Sequence, residues 1–99
     1  MADRVVITRD LMDGGRFRAA VPDVVIVRSA AAPELADASF VLLDLALGID
    51  PAELVVDGRS VIAYGAHVDD GALAAAIDAG CVDALPRSKV FRRAAELLG

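Results

Sequence analysis

Asp44 is the single carboxylate in the run FVLLDLAL, whose other residues are all apolar. A strand that apolar is buried on both faces, so its carboxylate belongs at the strand end, over the crevice where an open parallel sheet holds ligands. There it either binds a ligand or pairs with an arginine that satisfies both charges. Arg9 and Asp10 follow the first apolar run and Arg87 follows the last, so all three sit on elements whose ends converge on the same edge. The pairing expected first is Arg9 with Asp44.

Other chemistry-bearing residues offer less. His67, the chain's one histidine, has Asp69 and Asp70 nearby but no further His or neighbouring Cys to complete a metal-ligand spacing, so a solvated loop or helix-cap role is expected. Cys81 is also single, which excludes an internal disulfide and a zinc or redox pair, and it reads as a small buried side chain. Gly14 and Gly15 with Arg16 and Arg18 match neither a dinucleotide fingerprint nor a P-loop, and two arginines on one turn read as a solvated face. Asp69 and Asp70 stand where a helix dipole favours negative charge. No catalytic constellation, metal site or cofactor is expected, and the chain does not read as an enzyme.

The elements that position these residues are four continuous apolar runs, 5–8, 24–27, 40–45 and 61–64, and a weaker strand over 82–85 that ends at Pro86. Helix signals fall between them. The alanine-rich stretch over 70–79 has Gly80 as its left-handed stop. The last segment carries Val90, Ala94, Leu97 and Leu98 at helical spacing, with Phe91 beside them and Ser88 as N-cap. Segments 12–20, 32–39 and 50–57 complete the alternation, the last two with room for about two turns each. Five strands alternating with helices in 99 residues predict one α/β domain over 1–99. It is a doubly wound, flavodoxin-like fold, with a five-stranded parallel sheet of order 2-1-3-4-5 and short helices on both faces. Val6, Val25, Val41, Leu43 and Ile62 are expected in its core.

Charge and address narrow the partners. Ten basic against fifteen acidic side chains, a net charge of −5, argue against a nucleic-acid or anionic-membrane surface and favour a protein partner. The N-terminus runs directly into a short strand without a signal-peptide core, and no stretch approaches a membrane span of roughly 18 apolar residues, so a cytoplasmic location is expected.

Read together, VVITRD, FVLLDLAL, VIAYGAH and AGCVDALPRS resemble the receiver domain of chemotaxis-type response regulators over nearly the whole chain. The resemblance is strongest where AAIDAGCVDALPRS repeats the pattern of a helix, Ala-Gly, and a strand ending in proline and a base. It implies that Asp44 stands at the phosphoacceptor position. The departures form a pattern. The paired acids that help hold Mg²⁺ read Arg9 and Asp10, the hydroxyl position after the fourth strand is Gly65, the aromatic switch position is Ala84, and the lysine position is Arg87.

Phosphoryl transfer onto a carboxylate needs a divalent ion to neutralise charge between donor and acceptor oxygens. Arg9 would fill that niche as a permanent cation, leaving Asp10, Asp44, Gly65 and Arg87 as a vestigial pocket. DLMDGGRF, YGAHVD and ALPRS further resemble small stand-alone bacterial proteins that keep the receiver fold without the acidic pocket. The implied function is a non-enzymatic signalling or interaction module, a pseudo-receiver. The alternatives are a phosphoaccepting regulator using Asp44 and a small-ligand binder at the switch point between the first and third strands. A further likeness, of Asp10 to Gly15 to the D-x-H-x-x-G signature of cobalamin-binding domains, fails where Met12 replaces the ligating histidine. For partners, the resemblance suggests a weak homodimer through segments 70–79 and 89–98, with the Phe91, Leu97 and Leu98 stripe as contact face. The bland alternative is that this stripe is core.

Overall fold

The computed structural model describes residues 3–66 and 69–99; His67 lies outside them. Five parallel strands form one sheet in the order β2-β1-β3-β4-β5: β1 (Arg4–Ile7), β2 (Val25–Val27), β3 (Phe40–Asp44), β4 (Ser60–Gly65) and β5 (Asp83–Pro86). The register pairs Val6 with Ile26 on one side and Leu42 on the other, and Asp44 with Tyr64. The predicted topology is therefore the observed one.

The apolar runs are continuous because successive side chains serve two cores. Val5, Ile7, Val41, Leu43, Val61 and Ala63 face one layer with Cys81 and Ala76 of α2 (Asp70–Asp78). Val6, Leu42, Ile62 and Tyr64 face the other, against Phe17 of α1 (Leu11–Ala20), Val90 of α3 (Arg87–Arg92), and Ala94, Leu97 and Leu98 of α4 (Ala94–Leu98). Of the expected core, Val6, Val41, Leu43 and Ile62 are buried, whereas Val25 is only half-buried because β2 is an edge strand.

Three expectations about the helices need correction. Segments 32–39 and 50–57 form short 3₁₀ turns, Pro33–Asp37 and Pro51–Glu53, because each opens on a proline and is too short to propagate an α-helix. Arg59 secures them, its guanidinium donating to the carbonyls of Leu35, Ala38 and Leu54. The last segment is two helices, not one: α3 begins at Arg87 directly after Pro86, leaving Ser88 inside it, and the chain breaks at Arg93 before α4. Gly80 does act as the stop after α2, with φ at +113°, where a β-carbon would be strained and would press on the Val55 side chain at 3.2 Å.

The stripe proposed for self-association is spent on the fold. Val90, Ala94, Leu97 and Leu98 are buried in the α1-side core, with Phe91 packed against it. The exposed large apolar side chains are Leu11, Met12, Val56, Ile77 and Val82 among the described residues. No helix among those residues is long and apolar enough to cross a membrane.

Candidate functional site

At the C-terminal edge of the sheet, β1 and β3 deliver Thr8 and Asp44 side by side. Thr8 donates its hydroxyl to Asp44 Oδ2 at 2.8 Å, across the switch point of the fold. The other oxygen, Oδ1, accepts the Ala46 amide at 3.0 Å, because the chain turns directly from β3 into a 3₁₀ turn capped by this carboxylate. Asp44 is 2% exposed. Both of its oxygens are therefore engaged by the fold itself, and the β1/β3 crevice is closed by a hydrogen bond rather than left open.

The cation beside Asp44 is not Arg9. Arg9 is exposed, and its Nε donates to the Arg28 carbonyl at 3.0 Å, on the β2 side of the sheet. The expected Arg9–Asp44 pair does not form, because Arg9 lies beyond the end of β1, where the backbone is already turning into α1. Arg87 takes the role instead. Its Nη1 is paired with Asp13, its Nη2 lies 3.9 Å from Asp44 Oδ1, and its guanidinium stacks 5.4 Å over the Tyr64 ring. Burial disfavours the Arg87 charge, but its hydrogen bond to Asp13 and the charges of Asp13 and Asp44 outweigh that and hold its pKa above the ordinary value. Arg9→Ala should accordingly cost less than about 1 kcal/mol in urea denaturation, as an exposed cation does. A loss of several times that would place Arg9 back in the crevice.

Three members of the site were not singled out from the sequence: Thr8, Asp13 and Tyr64. Asp13, 4% exposed in the first turn of α1, accepts the Tyr64 hydroxyl at 3.0 Å as well as the Arg87 guanidinium. Tyr64, fully buried, packs edge-on against Phe17 at 5.8 Å. Its signal was present, since a buried tyrosine at a strand end must find a partner for its hydroxyl.

The remaining expected pocket residues are placed as follows. Asp10 is exposed and caps α1, its Oδ1 accepting the amides of Met12 and Asp13 at 2.9 and 3.0 Å. Its own amide donates to Thr8 Oγ1. Gly65 pairs with Pro86 at the end of β4, offering no hydroxyl, and a β-carbon there would meet Leu45. Ala84 is half-buried in β5 against the α2-side core. Among the described residues no three His, Cys, Asp or Glu side chains are grouped so as to hold a metal ion.

No family model matches the sequence, and no curated protein is recognisably similar to it. Solved structures are. A response regulator from Thermotoga maritima superposes with a TM-score of 0.65 at 14% identity, covering 99% of this chain and 98% of its own. A CheY-like protein (tadZ) from Pseudomonas aeruginosa gives 0.68 at 20% identity, covering 95% and 99%. A protein from Burkholderia pseudomallei named for pilus assembly gives 0.62 at 16% identity, covering 100% and 92%. Whole-chain superposition with the same sheet order means that this chain has the CheY-like receiver fold of response regulators.

Proposed function

We propose that the chain is a non-enzymatic receiver-like module that works through protein contacts and is not phosphorylated on Asp44. The observation that supports this reading most directly is the state of Asp44, whose two oxygens are held by Thr8 and Ala46 while Arg87 is tied to Asp13. An in-line attack on a phosphodonor requires an accessible carboxylate lone pair and a divalent ion beside it. Here the carboxylate is 2% exposed and its neighbouring charge is a guanidinium. Arg9 adds to the same reading, since at a position where the resemblance implies a metal-binding acid it is a cation, exposed and bonded to the Arg28 carbonyl.

Such a module offers its surface to a partner. Leu11 and Met12, 82% and 73% exposed at the start of α1, are the most exposed large apolar side chains described. One structural neighbour is named for pilus assembly, which makes an assembly of that kind the first setting in which to seek the partner.

Incubation with a small phosphodonor such as phosphoramidate and Mg²⁺ is expected to leave the intact mass unchanged. Near-stoichiometric labelling that is lost in Asp44→Asn would overturn the proposal and install the phosphoaccepting regulator in its place.

A further inference from the structure

We propose that Arg9, Arg18 and Arg28 form a binding site for the phosphoryl group of a phosphate monoester. The three residues line one crevice of about 120 Å³ between α1 and the ends of β1 and β2. It flanks the Thr8–Asp44 bond on the side away from β3, so it is separate from the phosphoacceptor position, and it shares only Leu11 with the surface offered to a partner.

The crevice is cationic in a chain whose net charge is −5. None of its three arginines forms an ion pair among the described residues. Asp10 is the one carboxylate in the lining, and its Oδ1 is engaged by two amides of α1. Three guanidiniums against one carboxylate leave a local charge of +2. A phosphate dianion matches that charge with acceptor oxygens for several guanidinium donors, whereas a lone carboxylate meets half of it.

The cations are also arranged. Arg9 is anchored through Nε to the Arg28 carbonyl at 3.0 Å, which leaves its terminal nitrogens to donate elsewhere. Arg18 lies against Gly14, where a β-carbon would stand 3.5 Å from its Nη1 and 3.6 Å from Ile26 Cδ1. The volume is far below the roughly 300 Å³ at which pockets begin to enclose a drug-sized ligand. The site therefore grips a group and leaves the remainder of the molecule outside, over the exposed Leu11 at the rim.

The experiment is an amide NMR titration at fixed ionic strength with inorganic phosphate and with phenyl phosphate. Saturable shifts at Gly14 and Arg28 are expected, with a Kd on the order of 1 mM for phosphate. Phenyl phosphate should bind more tightly, because its ring can lie on Leu11. Arg18→Gln and Arg28→Gln, both at exposed positions, should each weaken binding about fivefold. Arg93→Gln, whose side chain pairs with Glu96 away from the crevice, should leave it unchanged. Retention on phosphatidate-containing vesicles that is released by inorganic phosphate would place the group on a lipid headgroup. Saturation by phenyl phosphate without vesicle retention would place it on a soluble monoester. A linear, unsaturating response to both probes, or a titration unaltered in Arg18→Gln and Arg28→Gln, would overturn the proposal.

Discussion

Replacement of Arg87 by alanine is expected to destabilise the fold by about 3 kcal/mol, the lower end of the range for breaking a buried ion pair. The lower end applies because the Arg87 side chain is 34% exposed, so water already screens part of its charge. Its two carboxylates are not so placed. The side chains of Asp13 and Asp44 are 6% and 3% exposed, and without Arg87 both are left buried at one sheet edge with only neutral donors. Most of the loss is therefore the cost of the stranded charges. Arg87→Lys should fall between, since an ammonium keeps the charge but cannot reach two carboxylates with one planar fork. Double-mutant cycles by urea denaturation should give larger coupling for Arg87 with Asp13, which it contacts, than with Asp44 at 3.9 Å. A cost below about 1 kcal/mol for Arg87→Ala would mean that the guanidinium turns to solvent and that the crevice is free to take a cation.

The same network shows where the sequence was readable and where it was not. Sheet order and layering were accessible because a both-faces-buried strand leaves an unbroken apolar run, and five such runs in a short chain admit few topologies. The prolines at 33 and 51 were equally visible as obstacles to helix propagation, yet the turns they open are tied together by Arg59, whose partners come from two separated stretches. At the site, Asp44 and Arg87 meet at the sheet edge to which their positions at the end of β3 and just after β5 bring them. Arg9 does not join them, because two residues past the end of β1 the period-two rule no longer fixes a side chain's direction. Asp13 was legible after all: it precedes the core residue Phe17 by four positions, so it shares the buried face of α1 and must meet a partner at the sheet edge. Arg28 was not associated with Arg18, although the predicted adjacency of β2 and β1 is what brings both to one crevice.

Alkaline pH is expected to unfold the chain through Tyr64. It is the only tyrosine and there is no tryptophan, so phenolate absorbance reports on this one side chain. Burial pushes its pKa far above the ordinary 10.0; Thr8 opposes this more strongly than either neighbouring carboxylate adds to it, and the negative charges of Asp44 and Asp13 raise it further. Above pH 10 the unfolded chain gives up a proton that the folded chain retains. The contribution is thus complete below the unfolded value and is lost as pH rises, at about 1.4 kcal/mol per pH unit for one proton. Cys81 starts the decline earlier, because burial raises its thiol above the ordinary 9.0 in the folded chain. Phenolate absorbance should therefore appear only together with the loss of the far-ultraviolet helix signal. Tyr64→Phe should remove the tyrosine part of this slope and leave that of Cys81. At neutral pH it should cost about 1.5 to 3 kcal/mol for the lost hydrogen bond to the charged Asp13. Reversible phenolate formation near pH 10 with the helix signal intact would show that the hydroxyl reaches water. Asp13 would then be held by Arg87 alone, and the network closing the crevice would be looser than the Tyr64–Asp13 distance of 3.0 Å requires.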